Sequence, residues 1–114
     1  MTFLINIAEL RLSGETARVF EGSQYGDTNV SFFLLEASPG DGPSLHSHPY
    51  EEIFVIQVGK VTFTVGDATI EATGGQIVIA PAGIPHKFVN SGKTLLRSIN
   101  IHPISRMITE WLED

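Results

Sequence analysis

The chain has 114 residues, 42% of them apolar, with 13 acidic against 7 basic side chains and a formal net charge of −6. That size fits one domain, spanning residues 1–114, with core enough to stand without staples. The absence of cysteine excludes disulfides, thiolate-bound zinc, iron–sulfur clusters and a cysteine nucleophile. A net negative chain with no basic cluster is a poor partner for nucleic acid or an anionic membrane.

The N-terminal MTFLINIAEL has neither the basic segment nor the sustained apolar run of a signal peptide. No apolar stretch approaches the roughly 20 residues needed to span a bilayer. A soluble, cytoplasmic protein is therefore expected. Runs rich in Val, Ile, Phe and Thr then recur, separated by Gly, Pro, Asn and Asp. This is the pattern of a β-sandwich or small barrel. It predicts strands at Ala17–Glu21, Val30–Ala37, Ile53–Val58, Lys60–Val65, Thr69–Ala72, Gln76–Ile79, His86–Asn90 and Leu95–His102.

Turns are expected at Gly59, Gly66-Asp67, Gly74-Gly75, Pro81-Ala82-Gly83 and Asn90-Ser91-Gly92, where residues tolerate positive φ or fix a bend. Lys60–Val65 alternates strictly, so one face is buried and the other wet. Ile53-Phe54-Val55-Ile56 and Ile77-Val78-Ile79-Ala80 do not alternate. Those strands are expected to be covered on both faces, once by the core and once by a second subunit, which predicts a homodimer. At the C-terminus, Ser105 is placed to cap a short helix, with Met107, Ile108, Trp111 and Leu112 at one-face spacing. Trp111 is expected to dock that helix on the barrel.

Only four histidines occur, and two stand in the stretch LHSHPYEE, from Leu45 to Glu52. Alternate residues of a strand share a face, so His46 and His48 point the same way. Glu52 has their parity and Glu51 the opposite one, provided the strand continues through the bend at Pro49. His86 follows the Pro81–Pro85 turn and opens a strand, from which it can approach.

From Gly40 to Gly59 the chain runs Gly, five residues, His46, one, His48, three, Glu52, six, Gly59. From Gly75 to Asn90 it runs Gly, five, Pro81, one, Gly83, two, His86, three, Asn90. These segments resemble the two motifs of the cupin superfamily with no departure at any motif position. Gly and Pro each make up only about 5–7% of average sequence, so chance agreement at ten positions is not a serious rival. The resemblance implies an all-β, double-stranded β-helix (jelly-roll) barrel, here with the short C-terminal helix. It also implies one divalent metal ion held by His46, His48, Glu52 and His86. Neutral imidazoles and a carboxylate suit Fe, Mn, Ni, Co or Zn. A closed structural zinc site is the rival reading, but such sites usually rely on cysteine.

Among the other candidates, Glu51 reads as a solvated or interface carboxylate, and Asn90 as a turn residue. His102, the histidine outside both motifs, is a pocket candidate. So are Tyr25, Tyr50, Phe32, Phe54 and Phe88, with Phe63 beside them, although most aromatics of a small barrel are simply core. Four protein ligands on an ion that accepts five or six leave one or two positions open. A metal-dependent enzyme acting on a small apolar or aromatic molecule is therefore expected. The likeness is to small quercetinase-type dioxygenases, where the carboxylate, here Glu52, can also act as base. Two alternatives stand beside it. One is a non-catalytic metal- and ligand-binding module. The other is a Lewis-acid isomerase or epimerase of sugars or sugar acids, which would want Arg or Lys in the pocket; Arg97 is the one residue placed to reach inward.

Overall fold

The computed structural model describes residues 2–14 and 16–113. Its strands are β1 (Arg11–Ser13), β2 (Ala17–Glu21), β3 (Ser31–Ala37), β4 (His46–Ser47), β5 (Glu52–Val58), β6 (Lys60–Val65), β7 (Ala68–Thr73), β8 (Ile77–Ala80), β9 (His86–Asn90), β10 (Leu96–His102) and β11 (Glu110–Trp111). Short 3-10 turns occupy Ile7–Glu9 and Gly22–Gln24. The strands form two antiparallel sheets, ordered β1-β2-β3-β10-β5-β8 and β11-β4-β9-β6-β7. Among the described residues no helix is long and apolar enough to cross a membrane.

The core lies between the sheets. Phe54 from β5, Phe63 from β6 and Phe88 from β9 meet edge-on or tilted, with ring centroids 4.8–5.7 Å apart. Leu96, Val61 and Ile56 pack in the same cluster. Burying each such side chain is worth about 1.5–3 kcal/mol, so this cluster is a main source of the fold's stability. The histidines adjoin it, Phe54 turning its edge toward His86 at 5.9 Å.

Two glycines bring the histidine-bearing segments together. Gly83 takes φ +75°, a conformation other residues adopt at a cost, and its N–H donates to the carbonyl of His48 at 2.7 Å. Gly42 passes so close to β9 that an added Cβ would lie 1.8 Å from the Phe88 carbonyl oxygen. Asn90, wholly inside, donates its amide to the carbonyls of Ala37 and Thr94, and its Oδ1 accepts from the Gly92 N–H. It is a turn residue, as expected.

The C-terminal helix is absent. Residues 105–109 run irregularly and Glu110–Trp111 forms β11, paired with β4. An eight-residue helix is marginal in isolation, and here the backbone finds better partners. Ser23 N–H bonds the Ser105 carbonyl, Met107 N–H bonds Glu21 Oε2, and Leu112 N–H bonds the Leu45 carbonyl. Trp111 is 60% exposed, so it does not dock a helix on the barrel.

The outer face of the six-stranded sheet is apolar in two continuous cross-strand rows. Ile79, Ile53, Ile101, Phe32 and Phe20 form one; Ile77, Val55, Ile99 and Leu34 form the other. At its edge Ile77 and Ile79 are 64% and 56% exposed. This explains why β5 and β8 lack alternation: their outer faces are as apolar as their inner ones.

Candidate metal centre

Strand ends place the histidines around one point. His46 and His86 are direct cross-strand partners of β4 and β9. Glu52 opens β5, one step beyond the Ile53–Ile101 pair, which sets it beside His102 at the end of β10. His46, His48, Glu52 and His86 are all buried, and their ligand atoms lie within 4.8 Å of one another. The bend at Pro49 therefore preserves the parity of His46, His48 and Glu52, and Glu51 faces out.

Backbone carbonyls fix the tautomers. The Nδ1 of His46 lies 2.7 Å from the Ser44 carbonyl, that of His48 lies 2.8 Å from Ile108, and that of His86 lies 3.1 Å from Ile84. A carbonyl only accepts, so each Nδ1 carries the proton and each Nε2 presents a lone pair. The Nε2 atoms of His48 and His86 stand 2.8 and 3.1 Å from Glu52 Oε1. Lone pairs and an anionic oxygen aimed at one point repel unless a cation sits among them. The donor set thus fits a divalent transition-metal ion, with the outer hydrogen bonds that metal-bound imidazoles ordinarily have.

Electrostatics agree. Burial lowers the His46 imidazole below its ordinary value and so favours the neutral, ligating form. For Glu52, burial alone would raise the carboxyl; His102, facing Oε2, outweighs it and holds the group below the usual carboxylate range. The carboxyl is therefore ionised at neutral pH. Burial raises the Tyr50 phenol, which stays protonated.

A cavity of about 510 Å³ opens onto this cluster. His46, His48, Glu52 and His102 form its floor, and Phe33, Leu35, Ala37, Phe88 and Trp111 its apolar walls. Of the expected pocket residues, Phe88 and His102 line it. Tyr25 and Phe32 do not: both stack on Phe20 on the outer side of the sheet. Phe54 is core, with its edge toward His86. Tyr50 sits behind the floor, stacked on His48 and bonded to His102. Arg97 points outward, paired with Glu36 at 3.4 Å.

Three contributors escaped the sequence reading. Trp111 tilts against His46 with centroids 4.9 Å apart. Thr109 reaches within 3.3 Å of His48 Nδ1. Asn100 lines the cavity, its Oδ1 accepting the Ser98 hydroxyl. A signal for Asn100 existed. β10 reads Leu-Arg-Ser-Ile-Asn-Ile-His, and the parity of buried Leu96 turns Ser98, Asn100 and His102 inward while the isoleucines face out.

A family profile described as Cupin domain matches residues 33–102, more than half of the chain. An uncharacterized protein of Streptomyces coelicolor is 32% identical over 62 residues, covering 54% of this chain and 59% of that protein. The chain thus spans little more than half the length of that curated relative. Among solved structures, an uncharacterized conserved protein with a double-stranded β-helix domain from Klebsiella pneumoniae superposes with a TM-score of 0.75 at 20% identity, over 97% of this chain and 92% of that one. A variant of the Bacillus subtilis oxalate decarboxylase gives 0.81 at 21% identity, over 93% of this chain but 31% of the enzyme. The Lactobacillus farciminis oxalate decarboxylase, in a formate complex, gives 0.80 at 20% identity, over 92% of this chain and 34% of that one. At such identities these structures establish the fold alone, a double-stranded β-helix. Profile, fold and histidine-bearing turns coincide on the same residues, and the chain belongs to the cupin family.

Proposed function

We propose that this protein is a metal-dependent enzyme acting on a small, uncharged, apolar or aromatic molecule, with oxygenation by dioxygen the favoured reaction. One observation carries the reading. The cavity that opens onto the ligand cluster is walled by Phe33, Leu35, Ala37, Phe88 and Trp111, and among the described residues lining it there is no Lys or Arg. Such a wall selects for apolar surface and gives an anion no counter-charge beyond the metal. The oxalate decarboxylases share the fold, but an oxalate-like dianion would meet Asp41 and Glu52 here rather than a cation. The sugar-acid isomerase reading loses its support with Arg97 turned outward.

His46, His48, Glu52 and His86 hold the ion, which when bound supplies a Lewis-acidic or redox centre with positions open to substrate or dioxygen. The apolar wall excludes water and orients the substrate against that centre. Glu52, ionised and within the cluster, is the residue that would take up a substrate proton. Fe(II)-loaded protein treated anaerobically with nitric oxide, a dioxygen mimic, tests whether the centre is open. A paramagnetic signal perturbed by an aromatic competitor is expected. No signal from fully loaded protein would move the non-catalytic binding module into first place.

The apolar rows on the outer face of the six-stranded sheet are the basis for a second subunit. Singly exposed apolar residues are ordinary, but a contiguous patch this wide marks an interface. The partner we propose is a second copy of this chain.

A further inference from the structure

His102 differs from the other three histidines in what holds its Nδ1. Where they face carbonyls, His102 Nδ1 lies 2.6 Å from the Tyr50 hydroxyl. That hydroxyl accepts the Ile108 N–H at 3.2 Å, and its own proton has two acceptors within reach: His102 Nδ1 at 2.6 Å and the Ile108 carbonyl at 3.3 Å. Glu52 Oε2 stands 3.3 Å from His102 Nε2 and can only accept, so the ring proton belongs on Nε2 and the hydroxyl gives its own proton to Nδ1. His102 Nδ1 is then an acceptor, its proton sits on Nε2, and Nε2 has no lone pair to offer a metal. The same cluster therefore contains three imidazoles set as ligands and one set as a donor.

The donor is aimed at the carboxylate. His102 is 1% exposed, and its Nε2 is buried with no formed hydrogen bond, although it stands 3.3 Å from Glu52 Oε2. A buried N–H without a partner is costly and rare in native proteins. Packing holds the ring in place, edge to face with His48 at 4.6 Å and with Phe33 at 5.5 Å. Glu52 thus has its two oxygens in different surroundings. Oε1 lies among the ligating nitrogens, and Oε2 lies before the His102 N–H.

We infer that the Tyr50–His102 pair is a positioning device that reserves Oε2 of Glu52 for the His102 N–H, so that the carboxylate meets the ion through Oε1 alone and a coordination position stays free for an exogenous ligand. The inference rests on the metal-centre reading above. Without the donor, Oε2 is free to turn onto the ion and fill that position. Neither Tyr50 nor His102 touches the ion in this arrangement. Both act through Glu52.

Cobalt(II) loaded into the whole protein tests it, because the intensity of its visible bands reports coordination number. Azide serves as the exogenous probe. In His102→Leu the visible bands should change before azide is added, and azide should bind about 10- to 100-fold more weakly, the usual cost of losing an outer-shell partner. His102→Gln, which keeps an N–H at the same reach, should restore both. Tyr50→Phe should shift the bands in the same direction as His102→Leu, and it decides the matter against His102→Gln if the leucine variant does not fold. Bands of His102→Leu that superimpose on wild type would overturn the inference, even if azide weakens, since His102 would then be serving the probe and not the carboxylate. A wild-type protein that takes up no cobalt would instead remove the metal reading itself.

Discussion

Replacing Glu52 by Gln keeps the volume of a buried side chain and removes the only anionic donor of the metal group. In the metal-free protein the change should be mild, because the new amide can donate to the Nε2 lone pairs of His48 and His86, 2.8 and 3.1 Å from the present oxygen. With metal the two proteins separate. Free ion at 1,000 times its dissociation constant stabilises a protein by about 4.1 kcal/mol, or about 16 °C at roughly 4 °C per kcal/mol for a domain this size. Losing the anionic ligand should weaken binding by at least about 100-fold. At the same metal concentration the variant then gains only about 1.4 kcal/mol, or about 6 °C. Thermal unfolding followed by circular dichroism, with chelator and with Mn(II) or Co(II), measures both shifts.

The pH dependence has a defined sign. The Glu52 carboxyl lies below its ordinary 4.5, so it stays ionised as the pH falls to 5. The acid limb belongs to the imidazoles, which must be neutral to ligate. His46 lies below its ordinary 6.5, so the stability it contributes is complete above that value and is lost as pH falls through its lower folded value. The metal-induced shift of wild type should thus hold at pH 7 and fade between about 6.5 and 5. Equal metal shifts for wild type and Glu52→Gln would refute this account of the centre.

Elemental analysis should find close to one divalent ion per chain in wild type and almost none in His48→Ala; equal contents would take His48 out of the centre. Light scattering should show a dimer for wild type and a monomer for Ile79→Glu, which sets a charge into the apolar rows of the outer sheet face; a wild-type monomer at micromolar concentration contradicts the proposed second copy. Gly42→Ala should destabilise the metal-free fold by about 2–4 kcal/mol, because its Cβ would stand 1.8 Å from the Phe88 carbonyl. A chemical-denaturation midpoint unchanged from wild type would show that the approach of this loop to β9 is not tight.

Local pattern was enough for much of this molecule. Runs of strand-forming residues between turn residues placed β2, β6 and β9 at their observed bounds and β3, β5, β7, β8 and β10 within one residue at either end. These elements are set by side-chain period and positive-φ glycines, both properties of neighbours in the chain. The ligand set was legible for the same reason: His46, His48 and Glu52 share parity across one bend, and His86 follows a turn whose Gly83 bonds directly to His48. Tertiary structure alone decided the rest. The segment from Ser105 to Leu112 has the spacing of an amphipathic helix, yet the free edge of β4 and the side chains of Glu21 and Tyr50 capture its backbone. That capture brings Trp111 onto His46. It also brings the Ile108 carbonyl to His48, whose proton it fixes. Tyr25 and Phe32 are aromatic and near β3, but only the packing of the sheets assigns them to the outer face. The division we infer between three ligand imidazoles and one donor is beyond any spacing rule, because for His48 and His102 it depends on a carbonyl and a hydroxyl brought in from distant parts of the chain.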